Sequence, residues 1–226
     1  AGRSGSDPMK PSVLLVEDHA LVRSGIRALL EGSSEVTVVG EAGDGRLALE
    51  MCGQLHPDIV LTDVEMRELN GIETTRQIRS AHPDTRVIML SMYGDPQYVF
   101  ESLRAGALGY VLKDAAFAEL LTAIRTVVAG RRYLSPPLAD LVMDDYVRRA
   151  NGKESASDLD KVSAREREIL QLVAEGHSSG QVAAMLHISI RTVDTHRFNL
   201  MQKLDIHSIA GLTKFAINHG LTSLRS

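Results

Sequence analysis

A single cysteine, Cys52, leaves no partner for an internal disulfide, and nothing near it in sequence supplies a metal-ligand cluster. Also missing is any uninterrupted apolar run near the roughly 20 residues that a bilayer-spanning helix needs. The N-terminus lacks the basic-then-apolar pattern of a signal peptide, so the expected setting is cytoplasmic, with no membrane partner. There is no internal repeat or low-complexity tract. Nor is there a large excess of one charge: 25 Lys and Arg face 29 Asp and Glu. A strong nucleic-acid footprint would be far more basic, so charge alone gives little support to such a partner. What remains is 44% hydrophobic and 24% charged residues, the composition of an ordinary folded protein. At 226 residues the chain suits two modest domains.

The opening Ala1 to Pro8, rich in Gly and Ser, reads as an expression scar before the expected native start at Met9. From there to residue 130, short apolar runs alternate with amphipathic stretches. Val13–Val16, Val36–Val39, Ile59–Leu61, Val87–Leu90 and Tyr110–Leu112 read as strands. Leu21–Leu30, Arg46–Cys52, Ile72–Ala81, Gln97–Ala105 and Phe117–Ala129 read as helices. Strands that are continuously apolar rather than alternating suit a parallel sheet covered on both faces, so the expected fold is a five-stranded doubly wound α/β domain. Its ligands belong at the carboxyl ends of the strands. Residues 131–160 read as a linker, with a helical segment around Leu138 to Arg149 and linker composition from Asn151. Residues 161–226 read as a small all-α domain of four helical patterns, Ala164–Glu175, Gly180–Leu186, Thr192–Leu204 and Ile209–His219. Charge divides unevenly: residues 9–130 carry 11 Lys and Arg against 17 Asp and Glu, whereas residues 155–226 carry 8 against 7, with five of the eight histidines.

This arrangement brings chemistry to one edge of the sheet. Glu17 and Asp18 follow the first strand and Asp63 ends the third. Carboxylates held close repel and call for a cation, and an all-oxygen site of few ligands suits Mg²⁺. An Asp oxygen there can attack phosphorus and form an acyl phosphate. Ser91 after the fourth strand offers a hydroxyl, and Lys113 after the fifth a compact cation for phosphoryl oxygens.

Leu15-Val-Glu-Asp-His19, Pro57 to Asp63, Asn70-Gly71, Leu90-Ser91 and Gly109-Tyr-Val-Leu-Lys113 together resemble the receiver domain of two-component response regulators. The resemblance implies that Asp63 is the phosphoacceptor. Asp18 and Asp63 would be direct Mg²⁺ ligands, Glu17 a contributor through water, and the Glu65 backbone carbonyl a further ligand. Ser91 and Lys113 would contact the phosphoryl group, and Tyr110 would be the aromatic that turns inward as Ser91 shifts. Two positions depart from the family pattern: Arg67 stands where Pro is usual, and Asp114 follows Lys113. An Arg in place of Pro loosens the loop and puts a cation near the phosphate.

Gly180–Leu186, the turn His187–Ser189 and Ile190–Leu204 have the spacing of a helix-turn-helix, whose second helix enters the major groove. Val193, His196, Leu200 and Leu204 form an inward stripe, while Asp194, Thr195 and Phe198 lie on another face. Arg191, Thr192, Arg197 and Lys203 are candidates for phosphate anchoring, and His196 completes the candidate contact set. Asp194 can accept from cytosine N4 or pair with Arg191 or Arg197, and Phe198 can meet a thymine methyl. Ser163 to Leu170, Ala174-Glu-Gly176, Thr192 to His196 and Lys203-Leu204 resemble the LuxR-type DNA-binding domain, and with the receiver specify the NarL/FixJ-type response regulators.

The resemblance implies a regulator rather than an enzyme. A histidine kinase would phosphorylate Asp63, and the phosphorylated protein would dimerise and bind double-stranded DNA, with the helix around Leu212 to His219 as pairing surface. The alternative is a phosphorylation-independent DNA-binding regulator with a structural receiver, kept open by Arg67. A phosphohydrolase would want a second Asp two residues after Asp63, where Glu65 stands. A ligand-sensing regulator would want an apolar pocket in place of these acidic strand ends.

Overall fold

A computed structural model describes residues 10–92, 94–115, 117–140, 142–143 and 158–222. Apolar runs at the expected places form β1 (Ser12–Val16), β2 (Thr37–Ala42), β3 (Ile59–Asp63), β4 (Arg86–Ser91) and β5 (Gly109–Leu112). Between them lie α1 (Ala20–Gly32), α2 (Gly45–Leu55), α3 (Gly71–Ala81), α4 (Pro96–Ala105) and α5 (Phe117–Val128). A sixth strand, β6 (Tyr133–Leu134), corrects the expected five: it pairs with β5, placing Tyr133 beside Gly109 and Leu134 beside Tyr110. Two residues are too few to show a period, so this strand had no signature in the sequence. All pairings are parallel, in the order β2-β1-β3-β4-β5-β6.

Alternate residues of the central strands face opposite layers. Leu14, Val16, Val60 and Met89 pack with Ala48 and Cys52 of α2, Ile72 and Ile78 of α3 and Val99 of α4. Val13, Leu15, Leu61, Ile88 and Leu90 pack with Leu30 of α1 and with Leu120, Ile124 and Val127 of α5. Each large side chain so buried contributes about 1.5–3 kcal/mol relative to exposure, which explains why strands in the middle of the sheet carry no polar alternation. The order in which strands are added across the sheet reverses between β1 and β3, opening a crevice at their carboxyl ends.

Residues 136–140 and 142–143 are helical, and Leu138 is buried against the first layer. The rest of the expected segment to Arg149 lies outside the described residues. Beyond it come a short 3₁₀ turn (Asp158–Lys161), α6 (Ala164–Ala174), α7 (Ser179–Leu186), α8 (Ile190–Leu204) and α9 (Ile209–Asn218). Their starts are written in the sequence: Ser163 with Glu166, and Ser178 with Gln181, form capping boxes, and Ser189 and Ser208 cap α8 and α9. His187 closes α7 in the left-handed conformation, and only two residues separate it from α8. Leu170, Val173, Val182, Leu186, Val193, Leu200, Leu212 and Ala216 are the core of this unit. Among the described residues no helix is long and apolar enough to cross a membrane.

Candidate functional site

At the β1/β3 crevice the carboxylates converge as their strand positions require. Glu17 is fully buried, Asp63 is 4% exposed, and Lys113 reaches between them, its Nζ 2.6 Å from Glu17 Oε2 and 2.9 Å from Asp63 Oδ2. Burial, reinforced by the Glu17 charge, pushes the Asp63 carboxyl up to about 6 in spite of Lys113. Burial likewise opposes the charge on Lys113, but the two carboxylates outweigh it and hold that ammonium above its ordinary value. Asp18 stands beside this pair, and Glu17, Asp18, His19 and Asp63 each offer one ligand atom within 4.8 Å of the others. His19 was not singled out by the sequence reading. Its only signal is its place immediately after the acidic pair.

Ser91 ends β4, 2% exposed, and its carbonyl accepts the Lys113 N–H at 2.7 Å. Tyr110 is fully buried and turned inward, with its hydroxyl hydrogen-bonded to Ser91. Glu65 donates its backbone N–H to Asp63 Oδ1 at 3.3 Å, and its side chain bonds to the Tyr98 hydroxyl. Gly71 lets α3 begin against the end of β3: its N–H reaches the Val64 carbonyl at 3.0 Å, and a Cβ there would lie 1.8 Å from the Asp63 carbonyl oxygen. The intervening loop is strained at Glu68, φ +64°, where the Leu69 N–H turns back on the Arg67 carbonyl at 2.7 Å. Arg67 and Glu68 border a crevice that also includes Asp18 and His19.

This loop is also where the C-terminal unit docks. Gln171 of α6, 1% exposed, donates to the Met66 carbonyl and accepts the Asn70 N–H, both at 3.2 Å. Asn70 caps α3 and sends its Nδ2 to the Leu221 carbonyl at 2.9 Å. Arg167 meets buried Glu73 of α3 at 2.7 Å, and Gln77 meets Glu168 at 3.1 Å. None of these partnerships has a sequence signature, because each joins residues about 90 to 150 positions apart.

On the second helix of the helix-turn-helix, Val193 and Leu200 point into the core as the stripe predicts, with His196 and Leu204 half-buried. Arg191, Asp194, Thr195 and Phe198 are exposed, Phe198 by 63%. Thr192 bonds to the capping Ser189 hydroxyl at 2.8 Å, and Thr195 to the Arg191 carbonyl at 2.9 Å. Asp194 accepts from Ser179 at 2.8 Å, and Arg197 donates to the same hydroxyl at 2.7 Å, so Ser179 bridges the two charges. Lys203 gives its ammonium to Glu166 at 2.7 and 2.9 Å, which commits that cation to bracing α8 against α6.

Comparisons with known proteins agree with both halves. The family described as response regulator receiver domain matches residues 13–125, and the family described as bacterial regulatory proteins, luxR family, matches residues 160–216. The transcriptional regulatory protein MctR of Rhizobium johnstonii is 38% identical over 214 residues, covering 95% of this chain and 96% of its own. The response regulator UvrY of Escherichia coli is 36% identical, covering 93% and 95%. Among solved structures, a LuxR-family two-component response regulator from Aurantimonas is 36% identical with a TM-score of 0.59, covering 61% of this chain and 99% of that one. The structure of an RcsB–DNA complex is 26% identical with a TM-score of 0.57, covering 92% and 98%.

Proposed function

The chain belongs to the response regulators that join a receiver domain to a LuxR-type DNA-binding domain, a family of transcriptional regulators rather than enzymes. From that premise we propose that Asp63 is the phosphoacceptor and that its phosphorylation by a partner histidine kinase governs DNA binding. The observation that carries the reading is the convergence of Asp63, Glu17 and Lys113 within 3 Å contacts at the crevice outside the paired carboxyl ends of β1 and β3.

The chemistry follows from the donor set. A carboxylate oxygen of Asp63 attacks phosphorus, the bond from phosphorus to the donor imidazole nitrogen breaks, and the electron pair leaves with the imidazole. Asp18 and Asp63 directly, Glu17 through water and the Glu65 carbonyl would hold Mg²⁺, which supplies charge neutralisation for the phosphoryl oxygens. Lys113 already contacts Asp63 and remains with the acyl phosphate, while Ser91 presents its hydroxyl and Tyr110, already turned inward, stays beside it. Because the loop that follows Asp63 carries Met66 and Asn70, any shift of that loop acts on Gln171 and Leu221. Phosphorylation so loosens the C-terminal unit from the receiver.

The freed unit binds double-stranded DNA through α8, with Arg191, Thr192, Asp194, Thr195, His196, Arg197 and Phe198 as the contact set, and pairs as a homodimer through α9, which exposes Ile209, Lys214 and Asn218. The receiver runs past residue 130, because β6 and the buried Leu138 belong to its sheet and core, the linker follows to about 160 with the DNA-binding domain beyond, and the work takes place in the cytoplasm, where kinase and DNA meet. Incubation with Mg²⁺ and acetyl phosphate, followed by intact mass and titration with genomic DNA fragments, tests this against Asp63→Ala. One phosphoryl group on wild type alone, with tighter DNA binding, is expected. Equal labelling of both, or none, would turn the account to phosphorylation-independent DNA binding.

A further inference from the structure

His19 occupies the N-cap position of α1 but makes no side-chain capping bond, and imidazole is not among the groups that cap well. Its ring turns to the acidic pocket instead: Nδ1 lies 2.9 Å from Asp18 Oδ1 and 3.2 Å from Glu17 Oε1. The backbone N–H of the same residue donates to Glu17 Oε1 at 3.1 Å, so backbone geometry brings ring and carboxylate together. His19 therefore completes the set of four residues whose ligand atoms fall within 4.8 Å of one another. Oxygen-only sites suit Mg²⁺, whereas a neutral imidazole nitrogen favours later first-row dications.

We propose that the pocket is a mixed nitrogen–oxygen metal site, in which His19 Nδ1 joins the carboxylates as a ligand and gives Co²⁺ and Zn²⁺ an advantage over Mg²⁺. The proposal rests on the reading of the acidic pocket as a dication site. Ligation leaves the proton on Nε2, and the side chain is 57% exposed, so that nitrogen has access to water. If His19 were only a cationic partner of Glu17 and Asp18, its charge would oppose every dication alike.

Calorimetric titration of the full chain with Mg²⁺, Co²⁺ and Zn²⁺ separates the two roles, using wild type, His19→Ala and Asp63→Asn. The visible absorption of the Co²⁺-loaded protein reports ligand identity directly. Removal of His19 is expected to weaken Co²⁺ and Zn²⁺ by about tenfold or more, leave Mg²⁺ within about twofold and change the Co²⁺ spectrum. Asp63→Asn is expected to weaken all three. Should His19→Ala leave Co²⁺ and Zn²⁺ unchanged, or tighten all three metals together, the proposal falls while the dication pocket stands. Unchanged binding by Asp63→Asn would put the metals elsewhere and overturn both.

Discussion

Asp63 is costly to keep ionised where it stands. With its folded value near 6, above the ordinary carboxylate range, the folded state holds that proton more tightly than the unfolded chain. The contribution of Asp63 to stability is therefore greatest below about pH 4 and is lost as pH rises through about 6. Asp63→Asn is expected to stabilise the protein at pH 7 by on the order of 1 kcal/mol, read from urea midpoints. A midpoint lower than wild type would contradict the sign. Only the ionised carboxylate attacks phosphorus, and a bound Mg²⁺ favours that form, so the initial rate of phosphate uptake from acetyl phosphate at saturating Mg²⁺ is expected to hold as pH drops through 6 and to fall only below it. Gly71 has no such latitude: a Cβ 1.8 Å from the Asp63 carbonyl oxygen must move Asp63 or the start of α3. Gly71→Ala should cost about 2 kcal/mol or more and abolish uptake, and wild-type values of both would refute the close approach. The pocket residues were legible because each sits at the end of an apolar run, and strand ends on one side of a parallel sheet share an edge. His19 was not, since a histidine after a strand has no pattern until the fold turns its ring.

At the scale of elements, the helix-turn-helix was legible from its spacing, and the serines that the structure shows capping its helices fix their starts by local chemistry. The sixth strand and the Lys203 brace were not, for they depend on what the fold brings alongside. Burial opposes the charge on Glu166, but Lys203 and Ser163 outweigh it and hold that carboxyl below its ordinary range. Stability from this group is present above the ordinary carboxylate value and is lost as pH falls through the lowered one. Removing Lys203 leaves a carboxylate in a residue only 3% exposed, so Lys203→Ala should destabilise the C-terminal unit by about 1 kcal/mol. The same variant should leave the salt dependence of DNA binding unchanged, whereas Arg191→Ala should reduce the slope of log affinity against log salt by about one. Equal slopes for Arg191→Ala and wild type would remove Arg191 from the phosphate contacts.

For the whole molecule, the two units meet through buried polar side chains rather than a broad apolar seam. Glu73, 1% exposed, is shared by Arg167 across the interface and Arg76 within α3, and Gln171 lies against the loop that follows Asp63. Interfaces of this kind separate readily when one partner is removed, because a buried carboxylate stripped of a partner favours water. Arg167→Ala combined with Gln171→Ala is expected to undock the units, enlarge the radius of gyration in solution scattering and raise DNA affinity without phosphate. A scattering profile identical to wild type would deny these contacts their restraining role. All of this depends on one carboxylate taking the phosphoryl group, and an acyl phosphate can be trapped where it forms. Borohydride reduction of protein treated with acetyl phosphate, followed by peptide mass analysis, is expected to convert Asp63 alone to homoserine. Homoserine at another acid, or at none, would contradict the account.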